Sequence, residues 1–213
     1  MKKLEDYLYY EEENPDIRIY LGDCLEILPL LPKVDLVVTD PPYGLERFRR
    51  KDGGNSKKIT SFGDSDENWN NYKPTRETFD KILKLSNKHI IWGMNNFDLP
   101  TTEHFLVWDK EQKMPSFAEC ELAWSSLSTP ARIKRLRFEM DKMHPAQKPV
   151  FLLTWCITLG GEDIKNVLDP FLGSGTTLVA CKELNRNGIG IEISEKYCAI
   201  AKQRLKATTK SLF

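Results

Sequence analysis

The strongest constraint on the fold of this chain is its alternation of short apolar runs with stretches of helical periodicity. Short apolar runs between polar turns are typical of buried strands, and apolar residues three and four apart indicate helices. Strands are predicted at Ile17–Leu21, 34–39, His89–Trp92, 105–108, Asn166–Asp169 and 188–193, with edge strands or a hairpin at 118–125 and 131–138. Helices are predicted at 24–31, 74–86, Val150–Leu159, 176–184 and 194–206. This succession predicts an α/β domain with a mostly parallel sheet.

The composition is that of a globular domain, with 40% hydrophobic and 29% charged residues. No apolar run is long enough to span a membrane. The first residues turn acidic at once and lack the apolar region of a signal peptide. The five cysteines form no C-x-x-C pair, and their odd number argues against a disulfide framework. We therefore expect a cytoplasmic protein with reduced thiols.

The charges balance, with 31 basic and 31 acidic residues, but the basic residues gather in two clusters. The first comprises Arg47, Arg49, Arg50, Lys51, Lys57 and Lys58. The second comprises Arg132, Lys134, Arg135 and Arg137. Local basic clusters on a neutral protein fit a phosphate-binding face, and two solvated loops are the alternative. The first cluster lies in a long polar segment, 44–72, whose length is typical of a mobile or functional loop.

A glycine-bearing turn, L-D-P-F-L-G-S-G-T-T, joins a predicted strand to a helix. Such a turn directs backbone N–H groups at one spot, and Gly173 and Gly175 allow a ligand to approach the backbone. Leu178 occupies the place of the third glycine of the dinucleotide fingerprint, which disfavours NAD. The turn alone could serve only helix packing. Asp169 before it and Glu192 at the end of the next strand favour an adenosine-bearing cofactor, because an acid there can accept both ribose hydroxyls.

A second turn, Asp40-Pro41-Pro42-Tyr43, follows a buried strand directly. Ligands bind at the carboxyl ends of strands in open α/β sheets. The two prolines remove N–H donors and leave rigid carbonyl acceptors beside a carboxylate and an aromatic ring. An exocyclic base amine, with two N–H donors on a flat ring, requires this combination. A strand-ending turn with an incidental aromatic residue is the alternative for a Pro-Pro pair in isolation.

Together these two turns resemble those of the amino-methyltransferases that modify DNA, and their order along the chain resembles the permuted β-class. Gly22-Asp23-Cys24 resembles the segment whose acid binds the cofactor adenine. The run H-P-A-Q-K-P at 144–149 resembles the H-P-T-Q-K-P element of this class, with Ala146 in place of Thr. W-D-K at 108–110 and C-E-L-A-W at 120–124 are similar to phage-type adenine methylases. The resemblance covers residues 17–206.

The resemblance implies a Rossmann-like methyltransferase fold over residues 1–213, with one seven-stranded sheet and helices on both faces. It implies S-adenosylmethionine as cofactor, no metal, and N6 of adenine in double-stranded DNA as the target, reached by base flipping. The catalytic residues would be Asp40, Pro41, Pro42 and Tyr43. The cofactor would contact Asp23, Cys24, Lys148, Asp169, Phe171, Gly173, Ser174, Gly175, Thr176 and Glu192. Lys148 would either meet the methionine carboxylate or help to orient the turn. Both basic clusters would contact DNA, with the loop 44–72 closing over it and a small insert at 109–143 recognising the target.

Other functions stay open on the sequence. N4 of cytosine is an alternative target, although cytosine enzymes more commonly carry Ser at the position of Asp40. RNA or a protein glutamine is a second alternative substrate. Glutamine methylases usually start the motif with Asn and place the cofactor turn first, which argues against a glutamine. A silent nucleic-acid-binding module is disfavoured by the intact D-P-P-Y turn. The sequence does not decide between a monomer and a homodimer.

Overall fold

The computed structural model describes residues 2–44, 73–112, 118–137 and 147–209. The strands are β1 (Leu8–Glu12), β2 (Ile17–Leu21), β3 (Leu36–Thr39), β4 (His89–Trp92), β5 (Phe105–Asp109), β6 (Cys120–Ser125), β7 (Arg132–Arg135), β8 (Asn166–Asp169) and β9 (Asn187–Glu192). The α-helices are α1 (Cys24–Ile27), α2 (Arg76–Leu83), α3 (Val150–Leu159), α4 (Thr176–Glu183) and α5 (Glu195–Ala207). Short 3-10 turns occupy Leu4–Tyr7, Leu28–Leu30 and Met94–Asn96.

The described strands form one sheet in the order β1-β2-β9-β8-β3-β4-β6-β5-β7. The five strands from β2 to β4 in this order are parallel, β1 is antiparallel to β2, and β6 is antiparallel to β4 and β5. The predicted α/β fold with a mostly parallel sheet is confirmed. The sheet has nine strands in the described ranges rather than seven. Sequence reasoning missed β1 because an edge strand needs only one backbone partner, and none of its five residues is fully buried.

The segments predicted as edge strands or a hairpin take different places in the sheet. β6 is an interior strand between β4 and β5, and β7 lies at the edge, parallel to β5. The two segments therefore do not pair with each other as a hairpin. The buried end of β6, formed by Ala123, Trp124 and Ser125, explains its interior place, because both of its faces are covered.

Alternate strand residues divide the core into two clusters. In β3, Leu36 and Val38 face the cluster that contains the buried residues of α3, α4 and α5. Val37 faces the opposite cluster, which contains Ile27 of α1 and Phe79 of α2. This alternation follows from the two-residue period of a strand, and it places helices on both faces of the sheet as predicted.

The sheet reverses its winding direction between two neighbouring strands, β8 and β3. From β8 the chain passes through α4 to β9 on one side, and from β3 it passes through α2 to β4 on the other. Such a switch point opens a crevice at the carboxyl ends of the strands, where ligands bind in open α/β sheets. Both predicted functional turns begin at this crevice.

The predicted domain features are only partly within the described ranges. The loop predicted at 44–72 lies outside the described residues from position 45 onward. The predicted recognition insert at 109–143 contributes β6 and β7 to the sheet, while its residues 113–117 and 138–143 lie outside the described part. Its role in recognition stays a prediction.

Candidate active site

One cleft of about 740 Å³ opens at the switch point, at the carboxyl ends of β2, β3, β8 and β9. Its walls bring together residues from distant parts of the sequence, such as Asp23 and Glu192, which are 169 positions apart. The sequence-predicted residues that line it are Asp23, Cys24, Asp40, Pro41, Pro42, Tyr43, Lys148, Asp169, Phe171, Gly173, Ser174, Thr176 and Glu192. The cleft thus joins the predicted catalytic turn to the predicted cofactor turn.

Gly175 is absent from the residues that line this cleft. It has a φ of +85°, and a Cβ built there would lie 2.6 Å from Cβ of Ala201 in α5. Its missing side chain therefore allows α5 to pack against the start of α4. The structure gives this glycine a packing role, and its predicted cofactor contact has no support from its position.

Glu192 is oriented by two backbone donors at the end of β9. Gly173 N–H donates to Oε2 over 2.7 Å, and Ser194 N–H donates to Oε1 over 2.9 Å. Burial raises the pKa of Glu192, while these backbone hydrogen bonds act in the opposite direction. A carboxylate oxygen has two lone pairs, so each oxygen can still accept one hydrogen bond from a ligand in the cleft.

Asp169 connects the two functional turns through its own hydrogen bonds. Its Oδ1 accepts from the Thr39 hydroxyl over 2.7 Å and from Phe171 N–H over 3.1 Å, and its Oδ2 accepts from the Thr177 hydroxyl over 2.5 Å. Burial raises the pKa of Asp169 to about 6, against the effect of these donors. Because Thr39 directly precedes Asp40, this carboxyl group fixes the spacing between the catalytic turn and the glycine turn.

A compact group of charges surrounds Asp40. Tyr43 Oη donates to Oδ1 over 2.6 Å, and Lys148 Nζ donates to Oδ2 over 2.5 Å. Lys148 also pairs with Glu121 Oε2 at 2.8 Å, and Lys110 pairs with Glu121 Oε1 at 2.6 Å. Lys148 was predicted either to contact the cofactor or to help orient the turn, and its ammonium group contacts the carboxylates at the catalytic end of the cleft.

Burial and pairing act in opposite directions on these groups. Burial lowers the pKa of Lys148, but Asp40, Tyr43 and Glu121 outweigh it and hold the pKa well above the ordinary value. Burial raises the pKa of Glu121, but Lys148 and Lys110 outweigh it and bring the pKa down to about 2. Burial, followed by the charge of Asp40, raises the pKa of Tyr43 well above 10. Lys148 and Glu121 are therefore ionised, and Tyr43 is a neutral phenol, at neutral pH.

The ring of Tyr43 is held in position by its neighbours. It packs edge-on against Phe97, with ring centres 5.9 Å apart, and Phe97 packs in turn against Phe79. Gly93, with a φ of +78°, lies behind the ring, and a Cβ built there would overlap it. Only glycine combines this backbone conformation with the space that the ring needs. The ring is therefore held in place at the wall of the cleft.

Comparison with known proteins identifies the kind of enzyme that has this site. A family model described as DNA methylase, covering N6 and N4 methyltransferases, matches residues 103–203. The chain is 27% identical to the type II methyltransferase M.HinfI of Haemophilus influenzae, over 88% of this chain and 68% of the relative. It is 27% identical to the M1.HpyAVI–SAM complex, with a TM-score of 0.60 over 89% of this chain and 100% of the other. These comparisons support a DNA methyltransferase of the N6/N4 class.

The fold extends to more distant methyltransferases. The PvuII DNA methyltransferase, which is cytosine-N4-specific, is 18% identical, with a TM-score of 0.58 over 88% of this chain and 86% of the other. This likeness concerns the fold alone. The expected family is confirmed by these comparisons, whereas the permuted class and the choice between adenine and cytosine stay predictions.

The basic clusters of the methyltransferase are only partly described. The first cluster, with Arg47, Arg49, Arg50 and Lys51, lies outside the described residues. In the second, Arg132, Arg135 and Arg137 are exposed, whereas Lys134 is partly buried with its ammonium group 4.5 Å from the ring centre of Phe151. Arg135 Nε lies 3.6 Å from Asp109 Oδ2. β7 and the two residues after it therefore carry three exposed arginines, with Arg132 at the start of the strand and Arg135 and Arg137 at and beyond its end.

Sequence reasoning missed several residues that build the methyltransferase site. They are Thr39, Lys110, Glu121, Thr177 and Arg204. Arg204 in α5 donates to the Ser174 carbonyl over 2.8 Å and to the Thr176 hydroxyl over 3.0 Å, and it thereby supports the glycine turn from behind. A signal existed for Glu121, because it is a carboxylate at the start of an otherwise apolar strand, where an unpaired charge would be costly.

Within the described ranges, no group of three or more His, Cys, Asp or Glu side chains is arranged to hold a metal ion. No helix in the same ranges has the length and apolar composition needed to cross a membrane.

Proposed function

We propose that this methyltransferase transfers a methyl group from S-adenosylmethionine to N6 of adenine in double-stranded DNA. One observation carries the proposal: the D-P-P-Y turn and the glycine turn with Glu192 line the same cleft. A group-transfer enzyme must hold donor and acceptor side by side, because positioning supplies much of the rate for an already activated donor. A single cleft with one turn at each end provides that arrangement.

The cofactor end of the cleft fits S-adenosylmethionine, the ligand of the M1.HpyAVI complex. Glu192 is partly buried and is oriented by two backbone donors, and its remaining lone pairs suit the two ribose hydroxyls. A Cβ built at Gly173 would meet no atom within 4 Å, so the space beside this backbone is open to a ligand. Asp23 stands at the same wall and receives the adenine amine. When bound, S-adenosylmethionine supplies a methyl group activated by its sulfonium.

The catalytic end fits an exocyclic amine. Asp40 and the Pro41 carbonyl accept hydrogen bonds from the amine, and proline itself offers no competing N–H. Tyr43, held against Gly93 and Phe97, stacks on the base. The base must leave the duplex to reach this depth, as in other enzymes that act on base atoms. Asp40 favours adenine over cytosine, for which Ser is the commoner residue.

The second basic cluster supports a DNA-facing edge. β7 and β5 are parallel, and both run in the direction of β4, because each of β4 and β5 is antiparallel to β6. The carboxyl end of β7 therefore lies at the same edge of the sheet as the cleft. Arg135 is the last residue of this strand, and Arg137 follows two positions later. Arg132 lies at the opposite end of the strand. Phosphate contacts by Arg135 and Arg137 would position a duplex over the cleft without reading its sequence.

The proposal is tested by incubating the protein with unmethylated duplex DNA and isotopically labelled S-adenosylmethionine, followed by nucleoside digestion and mass spectrometry. We expect label in N6-methyladenine. Asp40→Ala should abolish the label, and the exposed Asp98→Ala is the matched control that should retain it. Label in N4-methylcytosine would overturn the choice of base, and full activity of Asp40→Ala would overturn the mechanism. Cofactor binding without label in DNA would point to RNA or to a silent binding module.

A further inference from the structure

A buried cation stands between two carboxylates at the catalytic end of the cleft. The side chain of Lys148 is only 6% exposed, and its Nζ pairs with Asp40 and with Glu121. Lys110 pairs with the other oxygen of Glu121, so the four charges sum to zero. Charges are removed from water only at a large cost unless each has a partner, so the members of this cluster depend on one another.

The cluster controls how strongly Asp40 can accept a hydrogen bond. Its Oδ1 already accepts from Tyr43 and its Oδ2 from Lys148, which leaves one lone pair on each oxygen for an incoming amine. A cation held by Asp40 alone would withdraw much of the charge of the carboxylate. Glu121 competes for the same ammonium group at 2.8 Å, and Asp40 thereby keeps more of its charge.

We propose that Lys148 and Glu121 are a pair of positioning residues that set the charge of Asp40 for catalysis. Lys148 offsets the repulsion between Asp40 and a second carboxylate, and Glu121 prevents Lys148 from neutralising Asp40. This inference rests on the proposed function, because Asp40 is taken as the acceptor of the target amine. It assigns roles to side chains on two segments, β6 and 147–149, that lie outside both turns.

If Lys148 and Glu121 act as proposed, their substitution should change how the methylation rate depends on pH, which a purely structural role would not do. In Lys148→Met, two carboxylates would face each other without the cation between them, and like charges favour protonation of one of them. A protonated Asp40 is a weaker acceptor, so the acid limb of the rate profile should move to higher pH. Adding Glu121→Gln removes the like charge and should return the limb toward that of the wild type. Among the described residues, the titratable and charged groups around Asp40 are Tyr43, Glu121, Lys148 and Asp169, and Lys110 acts on it through its ion pair with Glu121.

The experiment measures the single-turnover rate of methyl transfer between about pH 5 and about pH 9 for the wild type, Lys148→Met and Lys148→Met/Glu121→Gln. We expect the limb to move up by about one pH unit in the single variant and to return in the double variant. Lys182→Met is the matched control. Lys182 is a partly buried lysine whose side chain is 12% exposed and pairs with Glu12 away from the cleft, and its loss should leave the limb in place.

The inference would be overturned if Lys148→Met methylates more slowly than the wild type but its rate falls off at the same acid pH. A folded, cofactor-binding Lys148→Met that is inactive at every pH would also overturn it, because activity should return as Asp40 ionises. If Lys148→Met does not fold, Glu121→Gln decides: we expect kcat about tenfold lower with KM for S-adenosylmethionine unchanged, and an unchanged kcat would refute the proposal. Absence of methyl transfer by the wild type would refute the proposed function itself, which is a separate result.

Discussion

Replacing Glu192 by Gln should weaken cofactor binding without weakening the fold. The two carboxylate oxygens each accept one backbone N–H, from Gly173 at 2.7 Å and from Ser194 at 2.9 Å. In the amide, one oxygen becomes an NH₂ group, which cannot accept from a backbone N–H. The side chain loses one of its two anchors, and the ribose loses a charged acceptor. Burial disfavours the charged form of Glu192, so removal of the charge offsets the lost backbone hydrogen bond, and the protein without cofactor should keep about the same stability.

The magnitude follows from the hydrogen bonds that change. A hydrogen bond to a charged group contributes about 1.5–3 kcal/mol, so loss of the charged acceptor should cost about 2–3 kcal/mol, or about 30- to 150-fold in affinity. The assay is isothermal titration calorimetry with S-adenosylmethionine, beside a thermal melt without it. Glu195→Gln, an exposed residue three positions later in the first turn of α5, is the matched control. Cofactor affinity of Glu192→Gln within about threefold of the wild type would refute the ribose assignment.

Two further predictions concern the supports of the site. Gly93→Ala should lower the methylation rate by about tenfold or more while cofactor affinity stays unchanged, because the new Cβ would overlap the Tyr43 ring. Rate and affinity are measured on the same preparation. An unchanged rate would contradict the role of the ring. Asp169 holds its proton up to a pKa of about 6 in the folded state, against 3.8 as its ordinary value, so the folded state binds more protons between these values and stability falls as pH rises through them. Urea unfolding should therefore show that the stability of the wild type relative to Asp169→Asn falls by about 1.3 kcal/mol from about pH 5 to about pH 7. A constant difference would exclude a titrating Asp169.

The sequence by itself determined the local elements of the site. The D-P-P-Y and glycine turns, each placed after a short apolar run, predicted two functional turns at strand ends, and the structure places both at one crevice. Tertiary information was not needed to predict the strand before Asp40 or the acidic residue Glu192 at a strand end, because strand, turn and side-chain type are all local properties of the sequence. The same holds for the α/β class, since the alternation of periodicities is a property of short windows.

The tertiary structure decided how these elements are connected. The contact of Lys148 with Asp40 joins residues 108 positions apart, and the contact of Thr39 with Asp169 joins residues 130 apart. Neither pairing can be read from spacing, because it depends on the strand order that brings β8 beside β3 and β6 beside β4. The edge strand β1 and the interior place of β6 were missed for the same reason. The sequence pattern determines which residues of a segment can be buried, whereas the fold decides which distant charge lies close enough to pair with a buried charged side chain.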